Sequence, residues 1–346
     1  NYSDLKNILA IILAMKYIPI ILYILLTTQS FANETQEEKN WIFDRANFYI
    51  ENDVYFGTDD GYSTGEMFTF LYFVPEPNNC VHDVLGYNTK VSYSYLSFSI
   101  ANQIYTPTDT LTNAFQPNDR PYAGWTYIET TFHKTTKTQL RSLSLKVGII
   151  GPASQSEKIQ NTFHRTFNME VVNGWEHQLN NELGVNLKYT QKWKYHGKDF
   201  GDLEGSFIPF TSVELGNVAI NASAGFTARV GYNIPKDYGL SSINIGNDPG
   251  IPVYGQYKNR TKYPWSFSIN FTAAGTVVAR DIFLDGNTFE HSHSITKEPL
   301  VGYYGTGFTI RYKNLVLDIM AIENSRQFKQ QIKSHGVGTA IVSWLY

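Results

Sequence analysis

The chain has 346 residues and a formal net charge of −3, and charged residues make up only 17% of it, against roughly 25% in soluble proteins. That balance excludes a nucleic-acid binder, which needs a basic surface to neutralise phosphates. Aromatic residues reach 15% while the mean hydropathy is only −0.28, so apolar and polar residues are interleaved rather than blocked.

Residues 8 to 28 are nearly all apolar, long enough for an anchor helix, which is the alternative reading. Met15-Lys16 followed by "YIPIILYILLTTQSFA" has instead the layout of a secretory signal: a charged start, a short apolar core and small residues at its end. Ser30 and Ala32 fit the cleavage rule, so cleavage is expected after Ala32, with Met15 as the start and residues 1–14 upstream of it. Residues 1–32 are read as leader and 33–346 as one mature domain. Past position 32 no apolar run of 18 residues occurs, and the single Cys80 cannot close an internal disulfide. An exported chain without a disulfide framework must be held together otherwise. A closed sheet does that.

The first mature elements lie in "FYIENDVYFGTDDGYSTGEMFTF", residues 48–70, which reads as a β-hairpin: aromatic and β-branched residues flank a turn rich in Gly and Asp. Its polar residues, Glu51, Asn52, Asp53, Asp59, Asp60, Ser63 and Thr64, are unexpected in so oily a setting. Alternation of period two then recurs near 46–55, 64–74, 91–101, 122–133, 139–150, 182–195, 203–217, 218–232, 265–281, 300–312, 314–324 and 336–346. The clearest case is "LGVNLKYTQKWKY", with Leu183, Val185, Leu187, Tyr189, Trp193 and Tyr195 on one face and Asn186, Lys188, Thr190, Lys192 and Lys194 on the other. About twelve such segments with aromatic ends predict an all-β fold, a transmembrane antiparallel β-barrel. The ending "GTAIVSWLY" resembles the C-terminal signal of bacterial outer-membrane barrels. Closure leaves no sheet edge, so every backbone polar group is paired inside lipid. Polar stretches near 76–90, 102–119, 168–181 and 236–263 are expected to form long loops on one side.

One segment departs from the pattern. In "GPASQSEKIQNTFHRTFN", residues 151–168, Ile159, Phe163 and Phe167 recur at helical spacing, and Ser154 with Glu157 has the form of a capping box. The spacing predicts a helix over 155–167, between strands five and six, with Gln160 and His164 on one face.

Three stretches carry candidate chemistry: the first hairpin, "FQPNDRPYAGW" and "IQNTFHRTFNMEVVNGWEHQL". Ester hydrolysis needs a base near neutral pH and positive charge where the oxyanion forms. His164 suits the first; Asn52, Asp53, Ser63 and Glu170 offer oxygen donors of the kind calcium accepts. Adjacent strand residues point to opposite faces, so Asn52 and Asp53 can share a cavity only through a bulge or a strand end. Asp119 and Arg120 read as an ion pair. His291 and His293 share a strand face in a polar loop, and His177 and Cys80 read as structural.

"ENDVYFGTDDGYSTG", "NDRPYAGW" and "IGPASQSEKIQNTFHRTF…GWEHQLNNELGVNLKY" resemble, in that order, the lipid A 3′-O-deacylase family of outer-membrane barrels. The resemblance implies a twelve-stranded barrel that removes 3′ acyloxyacyl chains from lipid A with a divalent cation, generally Ca2+. It implies catalytic roles for His164, Asn52, Asp53, Ser63 and Glu170 and a metal held by Asn52, Asp53 and Glu170; Arg120, and Gln160 on the helix face of His164, are read as substrate contacts. The chemistry implied is like that of phospholipase A2, with a His-activated water and a metal-bound carbonyl oxygen. Outer-membrane location, lipopolysaccharide as partner and a monomeric state are expected. Two departures stand out. Ser63 occupies the family's hydroxyl position, and "QIYTPTDTLTNAFQPNDR" lacks the family's loop Lys, a role that Arg120 is placed to fill. The alternatives are a non-enzymatic outer-membrane channel or surface barrel, and an outer-membrane phospholipase with Ser63 as nucleophile and His164 as its base.

Overall fold

Successive side chains on a strand point to opposite faces, and this chain uses that period to turn its apolar residues outward. Leu183, Val185 and Leu187 are 61%, 39% and 46% exposed, whereas Asn186 is 1% and Lys192 6% exposed. Such a wall is stable only against lipid. In the computed structural model the described residues are 41–53, 61–74, 85, 92–197, 201–243, 246, 248–253 and 263–346. The leader, Asp59, Asp60 and Cys80 lie outside them.

The strands are β1 (Ile42–Asn52), β2 (Gly61–Val74), β3 (Tyr93–Thr106), β4 (Ala123–Thr135) and β5 (Gln139–Ile150). After α1 (Ser156–Thr166) come β6 (Glu182–Trp193, resumed at Tyr195–His196), β7 (Leu203–Gly216) and β8 (Ala219–Tyr232). The last four are β9 (Trp265–Asp281), β10 (Leu300–Tyr312), β11 (Leu315–Asn324) and β12 (His335–Leu345), with a single helical turn at Ile282–Asp285. Neighbours in sequence pair antiparallel, and β12 returns to β1 in a register running from Arg45↔Leu345 to Asn52↔Gly338. The result is a closed twelve-stranded antiparallel barrel. The strands foreseen from alternation are all present; β1 begins and ends earlier than expected, and β3 runs on to Thr106. No described helix is long and apolar enough to cross a membrane.

With an even number of strands, both ends of the sheet's chain lie at one end of the cylinder. An aromatic girdle rings that end: Trp265 lies 4.4 Å from Tyr312, Phe43 5.8 Å from Tyr346, and Tyr232 stacks on Tyr263 at 5.9 Å. The long connections do not share one side. Those spanning 107–122 and 151–181 lie at the far end, but 75–92 and 233–264 join strands at the end that carries the termini. Polarity marks a connection without saying which end it serves.

The described residues of the second of these connections enter the lumen. Tyr238, Ile251 and Val253 pack with the inward-facing Leu71, Tyr95, Leu140 and Ile208. Arg229 pairs with Asp237 at 2.7 Å, and Lys192 pairs with Asp248. Asn47 Nδ2 donates to Pro249 O at 3.2 Å and the Tyr49 hydroxyl to Asp248 O at 3.2 Å. Higher still, the Ile243 N–H donates to Glu51 Oε1 at 2.6 Å, near the far rim. The described residues between Ile234 and Val253 thus form a plug.

Candidate active site

Phe48 stacks on Phe68 at 4.5 Å on the lipid side. Alternation therefore places Ile50 and Asn52 outward, and Tyr49 and Glu51 toward the lumen. The pairing of β2 with β3 skips Ser63, passing from Tyr62↔Tyr105 to Thr64↔Ile104. This bulge lets Tyr62 reach inward to Glu51 Oε2 at 2.8 Å while Thr64 faces out and accepts from Asn52 Nδ2 at 2.9 Å. Ser63 Oγ lies 2.5 Å from Thr106 Oγ1. Asp53 sits one residue past the end of β1; its N–H donates to Ser63 O at 3.2 Å, and the residue is fully buried. Of the two devices posed for Asn52 and Asp53 it is the strand end that occurs; the bulge at Ser63 lies on the other arm of the hairpin.

The helix α1 begins one residue later than predicted, and the expected capping box does not form. Gln155 takes a left-handed conformation with φ 61°, and Ser154 turns its hydroxyl to Ser156 Oγ at 2.9 Å. Ser156 Oγ in turn accepts from Asn102 Nδ2 of β3 at 2.7 Å. Gly124 of β4 is required beneath it, since a Cβ there would lie 2.1 Å from Ser156 Cβ. The helix start is thereby pressed on the outer wall of the barrel. Its buried face carries Ser156, Gln160, Asn161 and His164. The chain then folds back: Asn161 Oδ1 accepts from Val172 N at 2.9 Å and its Nδ2 donates to Val172 O at 3.2 Å. Val172 and Trp175 join Tyr122 and the outward Ile104 in a small apolar core outside the cylinder.

His164 is 4% exposed, and its Nδ1 lies 2.5 Å from the main-chain oxygen of Glu170. A carbonyl oxygen only accepts, so Nδ1 carries the hydrogen and Nε2 is left as the basic nitrogen. Glu170 meets His164 through its backbone, and its side chain is exposed. Gln160 Oε1 accepts from Trp175 Nε1 at 3.1 Å, while Gln160 Nε2 is buried with no hydrogen-bond partner among the described residues. That amide is a donor awaiting an acceptor.

Arg120 is placed apart. Its guanidinium lies 4.7 Å over the ring of Tyr105, and NH1 donates to Gln327 Oε1 at 3.2 Å. Tyr105 stacks on Phe283 at 4.0 Å within the lumen cluster, so Arg120 caps the lumen and does not face the helix. Asp119 accepts main-chain N–H groups, from Arg120 at 2.7 Å and Thr108 at 2.9 Å. His293 Nε2 lies 2.7 Å from Asp119 O and His177 Nε2 3.0 Å from Asn113 O, with Phe115 edge-on to both rings. These histidines tie loops together; His291 is exposed.

Two clusters result: Asn52, Asp53 and Ser63 at the hairpin end, and Gln160, His164 and the Glu170 carbonyl on the helix unit. Alternate outward residues of β3 connect them, Thr106 touching Ser63, Asn102 touching Ser156, and Ile104 lying under Trp175. Sequence reasoning missed Asn102, Ser156, Asn161 and Trp175. The signal was there in β3, where the outward series Phe98, Ile100 turns polar at Asn102.

Among the described residues no group of three or more His, Cys, Asp or Glu is arranged to hold a metal ion. The hairpin end does supply hard oxygen donors, the Asp53 carboxylate and the Asn52 amide, whose nitrogen end is engaged by Thr64. That set fits a calcium-type ion that draws its remaining ligands from main chain, water and substrate.

The family model described as "Outer membrane protein LpxR" matches residues 19–346. Among solved structures, LpxR from Salmonella typhimurium superposes with a TM-score of 0.70 at 17% identity, covering 87% of this chain and 100% of that one. The β domain of the Bordetella autotransporter BrkA aligns at 7% identity over 88% of this chain and 97% of its own, with a TM-score of 0.39. Comparison with curated protein sequences finds no match.

Proposed function

The chain belongs to the LpxR family of outer membrane proteins, and on that premise we propose that it is a lipid A 3′-O-deacylase, a hydrolase of the ester-linked 3′ acyloxyacyl chain of lipopolysaccharide. One observation carries the reading. A buried imidazole, with its Nδ1 hydrogen committed to Glu170 O, sits on a helix clamped to the outer face of β3, the strand that also meets the polar hairpin end.

Nε2 of His164 takes the proton of a water as that water's oxygen attacks the ester carbonyl, and returns it to the departing sugar oxygen. The Glu170 carbonyl fixes the tautomer and steadies the imidazolium that forms. Gln160 Nε2 donates to an oxygen of the lipid, which satisfies a buried amide. A divalent cation, calcium by its preference for oxygen donors, would be held by Asp53 and Asn52 and would polarise the ester carbonyl. The helix and its apolar core exclude bulk water on one side.

The channel alternative is disfavoured by the plug, which occupies the lumen from Tyr238 and Val253 up to Glu51. The serine-nucleophile alternative is disfavoured by Ser63 itself, whose hydroxyl is bonded to Thr106, a group that is no base.

The test is mass spectrometry of purified lipid A before and after incubation with the detergent-solubilised barrel. Loss of one acyloxyacyl unit from the 3′ position supports the reading. Unchanged lipid A overturns it, and so does loss from another position.

A further inference from the structure

On the lumen side of the hairpin, directly behind the proposed site, lies a carboxylate that the mechanism does not use. Glu51 is fully buried and takes three hydrogen bonds: from the Tyr62 hydroxyl at 2.8 Å, the Ile243 N–H of the plug at 2.6 Å and Thr339 Oγ1 of β12 at 3.2 Å. Each partner on the hairpin adjoins a site residue. Glu51 precedes Asn52 and Asp53; Tyr62 precedes the bulged Ser63. Tyr62 is itself held from two further sides, by Gln103 Nε2 at 3.5 Å and by His335 Nε2, which lies 3.1 Å from its main-chain oxygen.

We propose that Glu51 is a positioning residue for the outward-facing site, and that the lumen plug acts through it: the Ile243 amide holds the carboxylate, which holds Tyr62 and so fixes the strand end and the bulge that present Asp53, Asn52 and Ser63. The proposal rests on the deacylase reading for its kinetic consequence, and on the hydrogen bonds alone for its structural one. A strand end and a bulge are the softest places in a sheet. The two arms stay paired through Asn52↔Thr64 and the Asp53 N–H to Ser63 O, but β1 ends there and β2 breaks register with β3 at the same height, where the carboxylate adds a lumen-side tie through Tyr62. Glu51 touches no substrate, because it faces the lumen while the site faces lipid. Its effect is on the placement of reacting groups, where errors of about 1 Å cost about 100-fold in rate.

The experiment compares Glu51→Ala, Glu51→Gln, Ile243→Pro and Lys192→Met, reading kcat and KM for acyl release together with amide exchange at residues 61–65. Ile243→Pro removes the plug's donor without changing a residue of the hairpin. Lys192→Met breaks the plug's ion pair with Asp248 elsewhere in the lumen. The expected result is a fall of about 100-fold in kcat with KM unchanged for Glu51→Ala and Ile243→Pro. Glu51→Gln, which keeps an acceptor for Ile243 and Thr339, restores most of that loss, and Lys192→Met leaves kcat as it was. Exchange at 61–65 quickens in the first two variants only. Wild-type kcat in Glu51→Ala overturns the proposal, as does an equal loss in Lys192→Met, which would reduce the plug to general support. If Glu51→Ala does not fold, Ile243→Pro against Glu51→Gln decides in the same way. If the wild-type protein releases no acyl chain, the deacylase reading falls separately; exchange at 61–65 then upholds or overturns the anchoring by itself.

Discussion

His164 and Glu170 meet through a side-chain nitrogen and a main-chain oxygen, Nδ1 to O, at 2.5 Å, six residues apart across the end of α1. The contact makes the imidazole's orientation depend on the loop after the helix, and that loop is held by the paired amide bonds of Asn161 to Val172.

Replacing His164 by Ala removes the base and leaves the barrel. Acyl release falls by about 100- to 10,000-fold, the contribution of a positioned general base, while heat-modifiable migration on a gel is unchanged. An active His164→Ala protein would remove the mechanism.

Glu170→Gln behaves differently, since the side chain is exposed and the working atom is the carbonyl. Its kcat stays within about twofold of wild type, the ~0.5 kcal/mol scale of surface substitutions. Asn161→Ala, by contrast, strands a buried N–H and C=O of Val172 at a cost of about 1–3 kcal/mol. It lowers both helix protection and activity. Amide exchange and initial rates on the two variants separate the roles.

Chelation with EDTA stops turnover and calcium restores it ahead of magnesium, because a flexible oxygen set of one carboxylate and one amide suits the larger ion. Asp53→Asn raises the calcium needed for half-maximal rate. Activity untouched by chelator would leave the hydrolysis but remove the ion.

The intact protein shows no porin-type conductance in planar bilayers, because the described residues between Ile234 and Val253 occupy the lumen. Deleting Lys236–Val253 opens a conducting path through the same cylinder.

The plug also responds to acid. Burial alone would raise the Asp237 carboxyl, but the charges of Arg229, Lys194 and Arg45 outweigh it and hold the group below the usual carboxylate range. A depressed folded value means that its stabilisation is complete above the unfolded carboxylate value, about 3.9. It is lost as pH falls from there through the folded value. Plug exchange, corrected for intrinsic rates, is flat down to about pH 5 and accelerates below about pH 4.

Much of this was legible in the chain. Alternation in 182–195 announced an inside-out wall, and spacing at Ile159, Phe163 and Phe167 announced a helix in the right interval. The bend at Asn52-Asp53 was foreseen as a necessity of strand geometry. What the sequence did not disclose depends on tertiary partners. Nothing in the sequence announces that Arg120 lies over the Tyr105 ring and donates to Gln327, more than two hundred positions later. Glu170 reads as an acid, and no pattern announces the contact of its main-chain oxygen with His164. The capping box at Ser154 gives way to Asn102, a residue more than fifty positions earlier that competes for the same hydroxyls. The plug, polar and irregular, carries no periodicity by which to find it.

The helix stands on the outside of the staves and not over the mouth. On the deacylase reading, a lipid approaching it travels sideways within its own leaflet, tails still immersed, and presents its ester to the imidazole without being lifted into water. Encounter is then a search in two dimensions, governed by the fluidity and crowding of the leaflet rather than by any free concentration in solution.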